Sequence, residues 1–118
     1  MSAARSRGTS FETALMRYLR ENGFDVERLR QAGAQDEGDL VVKDGGVTII
    51  EAKATRRLDT ASGVREALAE KVNYAKHRGL DPDDITGVMV WKVPGKSIAD
   101  ALVIVPLREF FDIPDVNL

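Results

Sequence analysis

Gly38-Asp39-Leu40-Val41-Val42, then Lys43-Asp44-Gly45-Gly46, then Val47-Thr48-Ile49-Ile50-Glu51-Ala52-Lys53, is the stretch that decides the fold of this chain. Two short apolar runs flank a turn rich in Gly and Asp, the pattern of a β-hairpin. Charge interrupts the runs at only three places: Asp39 opens the first, and Glu51 and Lys53 stand two apart near the end of the second. Side chains two apart on a strand share a face. Ile49-Ile50 directly before them reads as central strand. Two carboxylates and a lysine are thus drawn together beside a buried sheet, where unpaired charge is costly. A metal ion would offset that cost, and such a set suits hydrolysis of a phosphodiester.

Outward from the hairpin, Phe11, Ala14, Leu15, Tyr18 and Leu19 follow helical spacing, which predicts a helix over residues 10–22 with one buried stripe. Gly8-Thr9-Ser10 precedes it and Asn22-Gly23 ends it. Residues 1–7 read as a loose arm. Residues 24–30 read as a first strand, residues 31–37 as a polar loop, and the hairpin supplies strands two and three. Residues 60–78 read as the longest helix, with Val64, Leu68, Val72 and Ala75 as its apolar spacing and Gly79 at its end. Asp81-Pro82-Asp83-Asp84 is a turn. Residues 85–92 read as a fourth strand, Pro94-Gly95 as the next turn, residues 101–105 as a fifth strand and residues 106–112 as a short closing helix. The expected architecture is α/β: one domain over residues 1–118, with a central mixed five-stranded sheet flanked by helices.

Composition narrows the chemistry. The chain has 118 residues, 43% apolar and 31% charged, and a net charge of −2, ordinary for a soluble globular domain with one modest core. No apolar run approaches a membrane span, and the arginines near the N-terminus are not followed by the apolar stretch of a secretory signal. The absence of cysteine excludes disulfides, thiolate metal sites and thiol nucleophiles, and fits a cytosolic setting. A single histidine, His77, excludes a multi-histidine zinc site built by one chain. Any metal is therefore held mainly by oxygen, which favours Mg2+, with Mn2+ as substitute. The first 30 residues nevertheless carry six arginines against four acidic residues.

In the candidate site, Asp39 and Glu51 are the expected metal ligands, the backbone carbonyl of Ala52 can add a third oxygen, and Lys53 would position the attacking water or offset transition-state charge. Glu12 borders the buried stripe of the first helix and can reach the sheet, but Thr9-x-x-Glu12 also fits a capping box, in which the glutamate turns back to the helix start. His77 reads as a solvated residue at a helix end. Trp91 and Tyr74 read as core or interface.

Taken together, the segments Arg7-Gly8-x-x-Phe11-Glu12, Leu19-x-x-x-Gly23-Phe24-x-Val26-x-Arg28, Gly38-Asp39-Leu40, Ile50-Glu51-Ala52-Lys53, Met89-Val90-Trp91-Lys92 and Val105-Pro106-Leu107-x-x-Phe110 resemble the PD-(D/E)-x-K nuclease superfamily, and within it the small Holliday junction resolvases of archaea and phages. The resemblance runs from Arg7 to about Phe111. It implies a restriction-endonuclease-like core in which Asp39, Glu51 and Lys53 match the catalytic triplet, Glu12 the first-helix glutamate that helps hold the metal, and Arg28 an arginine facing phosphate. Gly38 stands where the motif's name has proline. Arg56 and Arg57, just past Lys53, and Arg5 and Arg7 on the N-terminal arm are further candidates for phosphate contact. The resemblance implies an endonuclease that cuts four-way junctions symmetrically as a homodimer and leaves a 5′-phosphate. It implies no organic cofactor and no membrane, and a place in the cytoplasm of a bacterial or archaeal cell, with a phage source also open. Two other readings stay open: a restriction-like, repair or nicking nuclease on duplexes or flaps, and a DNA-binding relative without catalysis.

Overall fold

The expected hairpin is the centre of the sheet. In the computed structural model, which describes residues 3–30 and 33–114 (side chains from residue 8 onward), β2 (Leu40–Lys43) pairs antiparallel with β3 (Val47–Lys53), Leu40 opposite Ile50 and Lys43 opposite Val47. Gly45, at φ +72°, closes the turn. β1 (Val26–Arg28) lies antiparallel outside β2, β4 (Ile85–Trp91) parallel beside β3, and β5 (Leu102–Ile104) antiparallel at the far edge. The order is β1-β2-β3-β4-β5. Parallel neighbours need a crossover, and α2 (Thr60–Arg78) supplies it. α1 (Ala3–Glu21) covers the other face and α3 (Leu107–Phe110) follows β5. This is the mixed α/β sheet of a restriction-endonuclease-like core.

Alternation along the strands builds two cores. Leu40, Ile50, Val88 and Val90 point to α1 and meet Phe11 and Leu15. Val41, Ile49 and Ile85 point the other way and meet Tyr74 and Ala75 of α2. Asp39, Glu51 and Lys53 carry odd numbers like Val41 and Ile49, so the hairpin's period of two aims them at the α2 side.

Three expectations are corrected. α1 begins at Ala3, not at residue 10, so residues 3–7, read as part of a loose arm, are helical. Ala and Arg extend a helix readily, and one internal glycine, Gly8, costs only about 1 kcal/mol. Thr9 therefore lies inside the helix: Thr13 Oγ1 donates to the Thr9 carbonyl at 3.0 Å, one turn back. No capping box forms there, and Glu12 is left to project from the helix body.

The first strand is also shorter than residues 24–30. The Phe24 N–H is bound to the Leu19 carbonyl, closing the end of α1. The Arg20 guanidinium holds the Val26 carbonyl at 2.7 Å. Pairing with β2 starts only at Val26.

α2 has the expected bounds, with Asp59 accepting from the Ser62 N–H at 3.1 Å and Gly79 left-handed at φ +66°. Its buried stripe is different: Gly63, Ala67, Lys71, Tyr74 and Ala75, while Val72 is exposed. Small residues win because the helix lies almost on the strand. A Cβ on Gly87 of β4 would stand 2.8 Å from the Ala67 carbonyl oxygen, and one on Gly63 would meet Met89. Lys71, buried in this stripe, donates to the Ile85 carbonyl at 3.1 Å and pairs with Glu109, whose other oxygen accepts the Gly87 N–H at 2.9 Å. That network fastens α3 to the sheet.

Gly87→Ala is expected to lower stability by roughly 1–3 kcal/mol, the usual cost of overpacking. Urea denaturation should show a reduced midpoint with an unchanged slope.

Candidate active site

Asp39 is set by the backbone on both sides of it. Gly38 has φ +108°, and a Cβ there would lie 2.6 Å from Ile49 Cγ2. Proline, confined near φ −65°, cannot adopt this conformation, so the departure from the motif's name has a structural cause. The Asp39 N–H continues the ladder to the Ile50 carbonyl at 2.9 Å, and its carbonyl accepts the Leu29 N–H. Its Oδ2 accepts the Ala52 N–H at 2.8 Å. Extending the β2–β3 register by one residue places Asp39 opposite Glu51.

Glu51 is buried beside it, and Lys53 Nζ lies 3.6 Å from Glu51 Oε1. From α2, Glu70 comes close to Glu51, and Glu66 Oε2 lies 2.8 Å from Lys53 Nζ. From α1, Glu12 reaches Asp39 and stands 4.0 Å from Arg28 Nε. The expected residues Glu12, Asp39, Glu51 and Lys53 are thus gathered where the β2–β3 ladder ends between the two helices.

The charges are unbalanced. Burial, followed by hydrogen bonding to Glu70 and repulsion from Asp39, pushes Glu51 well above the carboxylate range. Burial and the Asp39 charge raise Glu12 to about 7, against the pull of Arg28. Burial raises Glu70 as well, and Glu70 Oε1 is buried without a hydrogen-bond partner among the described residues. For Lys53, burial opposes the ammonium, but Glu66 and Glu51 outweigh it and the pKa rises.

A divalent cation fits this setting by its chemistry: the donors are hard oxygens, and a buried carboxylate oxygen lacks a donor. Among the described residues, no three of His, Asp or Glu form a ready-made cage. Magnesium does not require one, since it keeps several waters and binds through one or two carboxylates.

The basic residues divide. Arg28 Nη2 donates to Thr13 Oγ1 at 2.9 Å and to the Thr9 carbonyl at 3.3 Å, bracing β1 against α1. Arg56 and Arg57 are exposed in the bend after β3, a loop pinned where Trp91 Nε1 donates to the Thr55 carbonyl at 2.8 Å. Arg5 and Arg7 fall on the opening of α1, and their side chains lie outside the described residues. His77 is not merely solvated: its Nδ1 is 2.6 Å from Glu37 Oε2, which also binds Arg78. Tyr74 is core, and Arg78 stacks on its ring 3.7 Å from the centroid.

Sequence reasoning missed Glu66 and Glu70. Their signal was the i, i+4 spacing that puts both on one helix face. Taking Val64, Leu68 and Val72 as the buried stripe turned that face toward solvent.

The sheet and its helices form the core of a PD-(D/E)XK-type nuclease, with this carboxylate–lysine cluster at the end of its β2–β3 ladder. Residues 3–108 match the family described as archaeal Holliday junction resolvase (hjc), and the chain belongs to that family. It is accordingly an endonuclease that acts on branched junction DNA with a divalent metal. No curated protein matches the chain.

Glu12 binds its proton more tightly folded than unfolded, so its contribution to stability is complete below about pH 4.5 and is lost as pH rises through about 7. Thermal melts in EDTA are expected to show a falling midpoint across that window. Glu12→Gln, which cannot ionise, should make the fall shallower, the remainder belonging to Glu70 and Glu51.

Proposed function

We propose that the chain is a Mg2+-dependent Holliday junction resolvase in which Asp39 and Glu51 hold the ion, the Ala52 carbonyl adds a third oxygen, Glu12 assists through water, and Lys53 serves the attacking water. The observation that carries this reading is the meeting of Asp39, Glu51 and Lys53 at one end of the β2–β3 ladder, with Glu12 arriving from the opposite helix. A bound divalent ion supplies Lewis acidity and a more acidic water. The protein contributes placement. Asp39 is held by the Ala52 N–H, and Glu51 is fixed by its place in β3. Lys53 is kept as an ammonium, able to orient a water or to balance charge on the phosphate oxygens in the transition state. Arg56 and Arg57, exposed in the bend just past Lys53, would contact the DNA backbone, with Arg28, Arg5 and Arg7 as further phosphate contacts. The expected products carry a 5′-phosphate.

Two matched cuts across a four-way junction call for two sites related by a two-fold axis, which a homodimer provides. The exposed apolar side chains of Leu102, Val103, Leu107, Phe110 and Phe111 support a self-association surface on β5 and α3. Phe110 and Phe111 do not close the core; they stack edge-to-face with ring centroids 4.9 Å apart and remain exposed.

Asp39→Asn and Glu51→Gln are each expected to slow junction cleavage by more than about 100-fold, exceeding the usual loss for a residue that only supports a metal ligand. Junction affinity in Ca2+ should stay close to wild type. EDTA should abolish cutting, and a linear duplex of the same arms should be cut poorly. Survival of cleavage in either variant at normal Mg2+ refutes the ligand assignment, and equal cutting of the linear duplex refutes junction selectivity. Phe110→Asp is expected to halve the mass seen by light scattering; an unchanged mass removes this surface from the dimer.

A further inference from the structure

Lys53 has two carboxylate neighbours among the described residues, and they compete for it. Its Nζ lies 2.8 Å from Glu66 Oε2 and 3.6 Å from Glu51 Oε1. Glu66 is the nearer partner, yet it comes from a different element, in the second turn of α2. That turn is itself anchored: Asp59 caps the helix by accepting from the Ser62 N–H, and Ser62 Oγ reaches Glu66 Oε1 at 3.4 Å. The Lys53 ammonium is thus suspended between a half-exposed glutamate on the helix and a buried glutamate on its own strand.

We infer that Glu66 is a positioning residue that shares the Lys53 ammonium with Glu51 and keeps it from closing fully onto that carboxylate, so that lysine and carboxylate both face the scissile phosphate. Without Glu66, the ammonium has one carboxylate left nearby, and opposite charges this close attract strongly where water is scarce. Lys53 then closes onto Glu51, covering an oxygen that an ion would use and withdrawing its own N–H groups from the reacting water. Glu66 need not touch substrate or metal to have this effect. A hydrogen-bond acceptor at its position is sufficient.

The inference rests on the nuclease reading above, so its test is run beside Asp39→Asn on the same four-way junction. Single-turnover cleavage, junction binding in Ca2+, thermal melts and the Mg2+ concentration for half-maximal rate are measured for Glu66→Ala and Glu66→Gln. Glu66→Ala is expected to be about 10- to 100-fold slower, the range for loss of a group that orients a ligand, with junction affinity unchanged and more Mg2+ required. The melts should stay close to wild type, since Glu66 is partly exposed and alanine favours a helix. Glu66→Gln keeps an acceptor oxygen and should recover most of the rate. A wild-type rate in Glu66→Ala overturns the inference. So does a Glu66→Gln variant as slow as the alanine variant, which would make Glu66 a charge or metal ligand, or a loss of junction affinity parallel to the loss of rate. Full activity in Asp39→Asn would instead overturn the nuclease site, and the inference with it, whatever the Glu66 variants show.

Discussion

The hydrogen bond from the Ala52 N–H to Asp39 Oδ2 is the interaction on which the rest of the site depends. It lets a side chain stand in for main chain at the end of a β-ladder, one residue beyond the last regular pair of β2 and β3. The conformation that permits it is the positive φ of Gly38, reached only because no Cβ is present to strike Ile49. Once Asp39 is locked, strand alternation delivers Glu51 and Lys53 to its neighbourhood, and the crossover helix brings Glu66 and Glu70 over them.

The same geometry works against the fold. Glu12, Asp39, Glu51 and Glu70 crowd a partly dehydrated space, with Lys53 and Arg28 as the nearby cations. Carboxyls whose pKa is raised by burial and mutual repulsion are held in readiness for a counter-charge. The cost is borne by the tightly packed sheet beneath, where Leu40, Ile49 and Met89 are almost wholly buried. Local conflict of this kind, set in an otherwise consistent structure, is what a functional site looks like.

The hairpin, the bounds of α2 and the grouping of Asp39, Glu51 and Lys53 were legible because each rests on a local rule: a Gly-Asp turn, a glycine at a helix end, a period of two along a strand. What was hidden depends on distant partners. The start of α1 was misjudged because Gly8-Thr9-Ser10 carries the local marks of a helix beginning, and only the structure shows the helix running through them. The face of α2 was misjudged because hydrophobicity favours valine and leucine, whereas close approach to β4 favours Gly63 and Ala67. Glu66 and Glu70 were lost with that face. Lys71 and Glu109, 38 residues apart, form a buried pair that no local pattern announces.

That pair has a consequence for how the chain behaves among its copies. β5 covers β4 only from Met89 to Trp91, leaving the earlier part of β4 without a strand partner on that side among the described residues. A bare stretch of sheet margin is a template for foreign strands and a starting point for aggregation. Here the Glu109 carboxylate takes the Gly87 N–H, and a buried lysine secures the carboxylate. The margin is sealed by a side chain rather than by another strand.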